Sequence, residues 1–411
     1  MIILPSKGLN QFINYKENKL DKKNVKVEFI NDINLIEKKQ WDLCACPEAF
    51  KGEKIIDPFT TYNFISALEN SGSVGKGTGW HSCHLVVKIE KEIIAVMPLY
   101  LKGHSQGEYI FDHNWAQAYN NFGGNYYPKI QSAVPFTPAT GRRFLTKKGF
   151  EKQGRDALER GIINLALNNK LSSAHITFCT SFEAKKVSYN NFLKRKTLQY
   201  HWENKGFSNF EDFLNSLSSR KRKTIKKERK IATSLFKDND GIFSFTGSQL
   251  RDKHWDSFWK FYQDTGNRKW GIPYLTRDFF QIINECMPEN ILLFLAIENN
   301  TPIAGALNFI GADTLYGRYW GCSKYHSCLH YELCYYQAID YALKNRIKKV
   351  EAGAQGEHKI SRGYLPSFVY SLHWFSSKSF ASAISEYLDK EEKVINQEYD
   401  ILMKTSPYKQ L

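Results

Sequence analysis

At 411 residues the chain is too long for one ordinary core, so two domains are expected, and 42% apolar with 15% aromatic content excludes a disordered or low-complexity protein. Lys and Arg outnumber Asp and Glu, 57 to 42, for a formal charge of +15; this favours acidic partners (nucleic acid, anionic lipid, phosphorylated substrates), although a Lys/Asn-rich composition spread along the chain gives such an excess with no partner at all. No stretch reaches the ~18 apolar residues of a membrane-spanning helix, and eight cysteines without a C-x-x-C pair read as reduced packing thiols, so a cytoplasmic protein is expected.

Residues 1–24 read as a polar, Lys/Asn-rich tail whose opening apolar run is too short for a signal peptide. An N-terminal domain is expected over 25–199, starting at "VKVEFI". A helix covers "TTYNFISALENSG", with Gly72 at its C′ position. "HLVVKIEKEIIAVMPLYLK" has two apolar runs around a charged turn and predicts a hairpin. In the next segment Tyr109, Phe111, Trp115, Tyr119, Tyr126 and Tyr127 are interleaved with Gly, Asn, Asp112 and His113. Such a loop stacks on sugars or bases, or is ordinary core beneath a long connection. "SAVPFTPATGRR" predicts a rigid, exposed turn on which Thr140, Gly141 and Arg142, with Arg143, hold an anion; a purely structural turn is the simpler alternative. "ALERGIINLALNNKLSSAHITF" then predicts a helix followed by a strand.

The C-terminal domain is expected over 200–411 and opens with a basic helix at 213–235. Within it, eight cations stand against Glu228 alone, and Leu214, Leu217, Ile225, Ala232 and Leu235 recur at helical spacing with Lys221 interrupting the stripe. Arg220, Arg222, Lys223, Lys226, Lys227 and Lys230 are the candidates for contact with a phosphate backbone or an anionic bilayer, against a merely solvated face. "ILLFLAIENNTPIAGALNFIGADTLYGRYWG" predicts three strands, the first two joined at Asn299 and Asn300, and "ELCYYQAIDYALKNRIKKVEAG" a helix and a further strand. Element order thus repeats between the halves, with Ile94–Ala95 and Ile303–Ala304 in equivalent strands, and a duplicated α+β unit is expected. His326, Cys328 and His330 alternate, and "HSCH" at His81 adds a second cluster, but neither has the spacing of a zinc motif, so no metal is expected. There is no G-x-S-x-G, Walker loop or G-x-G-x-x-G. The chain ends its chemistry-bearing stretches with "EAGAQGEHKISRGYLP", a strand exit carrying glycines, an acid, His, Lys and Arg.

Several long runs, among them "MPLYLKGHSQGEYIFDHNWAQAY", "YYPKIQSAVPFTPATGRRFL", "HWENKGFSNFEDFLNSLSSRKRKTIKKER", "HWDSFWKFYQDTGNRKWGIPYLT", "LHYELCYYQAI" and "EAGAQGEHKISRGYLP", resemble the FemAB-like N-acyltransferases from about residue 27 to the end. The resemblance implies an α+β fold of two tandem GNAT-like domains with mixed sheets flanked by helices. It also implies transfer of an acyl or aminoacyl group from an activated donor to an amine, as Fem enzymes do from aminoacyl-tRNA to a lipid-linked cell-wall precursor. The pyrophosphate motif of acetyl-CoA enzymes, Q/R-x-x-G-x-G/A, is missing from "YWGCSKYHSCLHYEL", which favours aminoacyl-tRNA over acyl-CoA as donor. No tightly bound cofactor is expected, the donor being a co-substrate. The expected partners are an amine acceptor, tRNA and the anionic inner face of the membrane.

For the chemistry, Glu357 or His358 is the expected base, with Glu332 and Asp112 as further candidates. Lys359 and Arg362 are expected to hold phosphate beside Gly363 and Tyr364. Arg318, Tyr319 and Trp320 at a strand end, Trp270 on the "NRKWGIP" loop, and Tyr109, Thr140, Gly141 and Arg142 in the first copy complete the candidate donor and substrate contacts. Two alternatives remain at this point: a CoA-dependent N-acetyltransferase on a small amine or amino sugar, and a non-catalytic RNA- or membrane-binding module with a degenerate site.

Overall fold

The computed structural model describes residues 13–14 and 25–409, except 188–191, 238–239, 270–272 and 355. Two compact units divide the chain: Met1–Glu53, Phe59–Arg195 and Tyr370–Lys390 form one, and Lys54–Pro58, Lys196–Val369 and Glu391–Leu411 the other. The simple cut expected at 199/200 is corrected by strand pairing, which ignores chain order. Tyr370–Phe375 pairs with Ser173–Cys179 in the first unit, and Ala312 N donates to Ile55 O in the second.

The first unit contains β1 (Ile13–Asn14), β2 (Val25–Ile30), β3 (Trp80–Ser82), β4 (His84–Ile89), β5 (Glu92–Met97), β6 (Tyr100–Lys102), β7 (Lys129–Ser132), β8 (Leu145–Thr146) and β9 (Ser173–Cys179). One sheet runs β1-β2-β4-β5-β8, and β9-β7-β6-β3 run side by side in a second. The predicted hairpin is β4–β5; the chain then changes sheet around Pro98, which has no N–H to give to a ladder. Ile13 pairs with Val27, so the region read as a polar tail carries a short strand. The helix Tyr62–Asn70 starts where Thr61 accepts from Phe64 N and stops at Gly72, φ 69°. The helix Glu151–Asn168 buries Ala157, Leu158, Ile162, Leu165 and Ala166 in one core with Val27, Leu85, Val87 and Ile94. Each large side chain so buried is worth about 1.5–3 kcal/mol. Crossing by this helix leaves β7 and β9 parallel over three residue pairs.

The second unit contains β10 (Leu193–Glu203), β11 (Gly241–Phe245), β12 (Ile291–Glu298), β13 (Thr301–Ile310), β14 (Thr314–Cys322), β15 (Lys349–Glu351) and the start of β16 (Leu365–Phe375). Sheet order is β11-β12-β13-β14-β15-β10. Asn299 and Asn300, φ 50° and 59°, make the two-residue turn between β12 and β13, where both residues must be left-handed. β14 and β15 are parallel only from Thr314↔Lys349 to Tyr316↔Glu351. Beyond Tyr316 they part, so Arg318, Tyr319 and Trp320 keep one neighbour strand, β13, and are half-buried. The basic helix expected as one piece is two, Phe210–Ser216 and Ser219–Thr233. Leu217 between them is extended (φ −88°, ψ 156°) and bridges to Tyr408, and Ser218 N donates to Pro407 O. Phe213, Leu214, Leu217, Ile225, Trp202, Phe294, Leu333 and Ile339 share the unit's core.

Candidate active site

The stretch from Glu351 to Pro366 leaves β15, winds into a short 3-10 helix over Glu357–Arg362 and enters β16. Gly356 (φ 117°) opens the turn and Gly363 (φ 94°) closes it, conformations that L side chains rarely adopt. Gly356 is required twice: a Cβ there would lie 2.6 Å from His358 Cε1, so the imidazole fills the space of the missing side chain. The turn sorts its residues. Glu357 and His358 are exposed, whereas Lys359 and Arg362 are 2% and 6% exposed.

Gly356, Glu357 and His358 line an open cleft of about 620 Å³, completed by Ala354, by Leu198 and Tyr200 of β10, and by Ile395 and Glu398 of the helix Lys378–Lys404. Burial raises the Tyr200 phenol above its ordinary value, and the Glu357 and Glu398 carboxylates push it the same way. Two carboxylates, a phenol and an imidazole between aliphatic Leu198 and Ile395 suit a protonated amine on an alkyl stem.

His358 is held from beneath. Its Nε2 lies 2.9 Å from Tyr335 Oη, and the Tyr335 carbonyl in turn accepts from Tyr364 Oη at 3.1 Å. Arg362 Nη1 donates to the His358 carbonyl at 2.7 Å; the same guanidinium lies 3.5 Å over the Tyr331 ring and forks onto Glu228 at 2.6 and 3.2 Å. Tyr336 O–H also donates to Glu228. Burial lowers the His358 pKa, and the charges of Arg362 and Lys359 lower it further, so the ring is neutral near pH 7. Lys359 Nζ donates to Gly353 O at 3.1 Å, and burial pulls its pKa down to about 8.

The side chains under the turn come from the helical stretch after β14. There Leu329–Tyr331 runs into a π-turn, Glu332–Tyr336, and then Gln337–Lys344. The wider turn gives Tyr335 to His358 and its neighbour Tyr336 to Glu228. Glu332, fully buried, takes Arg229 at 2.9 Å and Gln337 at 2.9 Å; burial raises its carboxyl against the pull of Arg229. Trp320 touches His330 (ring centroids 5.1 Å) and His330 touches Tyr335 (5.4 Å), which links the end of β14 to the cleft.

Of the residues predicted from sequence, the fold brings Glu357 and His358 to one cleft, with Lys359, Arg362, Gly363 and Tyr364 bracing the turn behind them and Arg318, Tyr319 and Trp320 on the adjoining strand end. Lys359 and Arg362 do not offer themselves to a phosphate: one is sealed under the loop and the other is neutralised by Glu228. Glu332 is likewise committed to Arg229.

Asp112, Tyr109, Thr140, Gly141 and Arg142 belong to the first unit. Asp112 precedes the helix His113–Asn121, makes no capping hydrogen bond with its side chain, and is 3% exposed. Burial would raise its pKa, but Lys129 at 2.5 Å holds it below the usual range, which makes it a poor base. Tyr109 is half-buried with φ 60°. The "SAVPFTPATGRR" segment is buried, not an exposed turn: Gly141 N donates to Phe178 O at 3.0 Å, and Thr140 Oγ1 is buried without a hydrogen-bond partner. Arg142 Nη2 donates to Ala45 O at 2.5 Å, while Arg143 Nε donates to Thr177 O at 3.0 Å. Trp270 lies outside the described residues.

The basic helix Ser219–Thr233 has two faces. Arg220, Lys223, Lys226, Lys227 and Lys230 are exposed, with Lys226 paired to Glu211 at 2.8 Å, and Arg222 is half-buried, 3.2 Å from Asn215 Oδ1. Glu228 and Arg229 turn inward to Arg362 and Glu332. Sequence reasoning passed over Tyr200, Glu398, Tyr335 and Glu228; only the lone acid inside a basic run was a visible signal. Among the described residues no group of three or more His, Cys, Asp or Glu is placed to hold a metal, and no helix is long and apolar enough to cross a membrane.

Comparison with known proteins gives one family. The chain matches the FemAB-like family, described as peptidoglycan biosynthesis/recognition, over residues 32–410. Among solved structures it resembles that of FemX, with a TM-score of 0.51 at 12% identity over 85% of this chain and 98% of that one. It also resembles the C-terminal DUF2156 domain of a putative lysylphosphatidylglycerol synthetase from Agrobacterium fabrum, with a TM-score of 0.50 at 7% identity over 84% and 95%. A tandem GNAT protein from the clavulanic acid biosynthesis pathway matches at a TM-score of 0.42 and 9% identity over 86% and 99%. No curated protein matches. At such identities structural likeness speaks to fold alone. The fold is α+β, built as two units, and the protein belongs to the FemAB-like family.

Proposed function

We propose that the protein transfers an aminoacyl group from aminoacyl-tRNA to an amine acceptor in peptidoglycan or envelope synthesis, with the chemistry in the His358 cleft. The observation that carries this reading is a neutral imidazole set beside two carboxylates in an open cleft of a FemAB-like protein. The amine nitrogen attacks the ester carbonyl and forms the C–N bond. His358 takes the N–H proton, and the ester C–O bond breaks with the alkoxide reprotonated as a hydroxyl. In the tautomer that donates Nε2–H to Tyr335 Oη, Nδ1 keeps its lone pair and is the accepting atom. Glu357, Glu398 and Tyr200 draw in the ammonium form of the acceptor and help discharge its other proton. Backbone N–H groups freed where β14 leaves β15 are the donors we assign to the oxyanion.

The donor assignment draws on the stripe Arg220, Lys223, Lys227 and Lys230, exposed at i, i+3, i+7 and i+10 on the helix that also reaches the cleft loop. The test is transfer of labelled amino acid from charged tRNA to an amine-bearing cell-wall precursor by the purified protein. RNase-sensitive transfer lost in His358→Ala is expected; thiol release from acyl-CoA with no tRNA-dependent product overturns the donor, and turnover with neither overturns the enzymatic reading.

A further inference from the structure

The basic helix is tied to the cleft by one carboxylate. Glu228 takes both arms of Arg362 at 2.6 and 3.2 Å and the hydroxyl of Tyr336, while Arg362 takes the His358 carbonyl at 2.7 Å and Ser361 Oγ at 3.2 Å. Arg229, the next residue, forks onto Glu332 of the π-turn that supplies Tyr335, the ring partner of His358. Main chain and ring of His358 are thus fixed from the same two helical positions. On the opposite face of that helix lie Arg220, Lys223, Lys227 and Lys230, exposed. Bidentate arginine–carboxylate pairs that are mostly buried are directional, so a shift of this helix cannot leave the His358 turn in place. A ligand that loads the outer face therefore acts on the inner one, and the coupling is reciprocal.

We propose that Glu228 is a positioning residue through which the helix that binds a phosphate backbone sets the His358 turn. The inference rests on the tRNA reading above for the ligand, but not for the internal link. The groups facing His358 are Arg362, Lys359, Tyr335, Tyr331, His330 and, in the cleft, Glu357, Glu398 and Tyr200.

The experiment follows the His358 ring by NMR in full-length, 15N-histidine-labelled protein, assigned through His358→Gln, with and without saturating unfractionated tRNA. In Glu228→Ala without tRNA the turn is released and the ring gains solvent, so the His358 midpoint is expected to rise toward the unperturbed value of about 6.5; a further fall, the effect of an unmasked Arg362 on a turn still in place, overturns the proposal. kcat is expected to fall about tenfold at unchanged KM for the acceptor, as for a misplaced catalytic group. Glu228→Asp, which keeps the charge on a shorter arm, is expected to fall between; should the Ala variant not fold, the Asp variant decides by the same readout. Addition of tRNA is expected to move the His358 signals in the wild type but not in Glu228→Ala, at equal tRNA affinity. An unchanged His358 in both Glu228 variants overturns the proposal whatever tRNA does. Equal tRNA-induced shifts in wild type and Glu228→Ala overturn the coupling, and failure of the wild type to bind tRNA overturns the donor reading while the tRNA-free arm still judges Glu228.

Discussion

Replacing Gly356 by Ala puts a methyl 2.6 Å from His358 Cε1 and forces an L residue to φ 117°. Strain of that kind costs about 1–3 kcal/mol, and the ring, being the mobile partner, is the part that yields. Gly356→Ala is therefore expected to lower kcat by about 100-fold, the scale of a 1 Å misplacement, with a loss of stability small enough for the protein to stay folded in a thermal melt. An equal kcat with the ring displaced in the NMR spectrum would remove His358 from the mechanism. Tyr335→Phe probes the other side of the same ring. It deletes one hydrogen bond, worth about 0.5–1.5 kcal/mol, and leaves the packing of a 3% exposed ring in place. Here the expected outcome is a several-fold drop in kcat, with the acid limb of the pH–rate profile shifted and KM unchanged. A change in KM alone would assign Tyr335 to binding.

At the scale of elements, β7 of the first unit is built around a charge. Lys129 Nζ is sealed with Glu108 at 2.8 Å, Asp112 at 2.5 Å and Ser105 at 2.8 Å, and Tyr126 Oη donates to the same Asp112 at 2.7 Å. Lys129→Met keeps the stem, strips buried Asp112 of its cation and leaves Glu108 only Lys102 at 3.9 Å, a change expected to cost about 3–5 kcal/mol in urea unfolding. A loss under about 1 kcal/mol would mean that the site is wet and the pairing weak.

Little of this network was legible in the sequence. Turns and hairpins were, because Asn299–Asn300, Gly72 and the alternating apolar runs act locally. His175 and His373 meet only through strand pairing between segments 198 residues apart, and no periodicity encodes a partner. The same reason hid Tyr200 and Glu398 from the cleft, while Glu357 and His358 stood out because one short loop carries both. It also made Lys359 and Arg362 look like ligand contacts: charge is visible in a sequence, whereas burial and counter-charge are not.

For the molecule as a whole, acid separates the two units by the groups each has buried. In the first unit His175 and His373 share an Nδ1···Nδ1 contact at 2.7 Å, which tolerates one proton and not two. Burial, reinforced by Lys129, lowers His175 to about 3, and burial with His175 beside it lowers His373 well below its ordinary value. A histidine depressed in the folded state favours unfolding once the pH drops under its unfolded value of about 6.5, because the unfolded chain then binds the extra proton. Glu108 acts in the opposite sense. Burial raises it to about 7, so it gains stability as pH falls from 7 toward 4.5 and offsets one of the two histidines there. Below 4.5 that offset is complete and both histidines act unopposed, joined by Asp112, whose lowered value loses stability as its carboxylate is protonated. The second unit's buried His201 is also lowered by burial, but Glu351 pulls it back. Hydrogen exchange at pH 7, 5.5 and 4 is therefore expected to show β9 and its partner Tyr370–Phe375 losing protection steeply below pH 5 while β12, β13 and β14 stay protected. His373→Asn is expected to flatten that acid limb without changing protection at pH 7 by more than a few-fold. Simultaneous loss in both units, or loss beginning in β12–β14, would show that the histidine pair does not set the acid stability of the first unit.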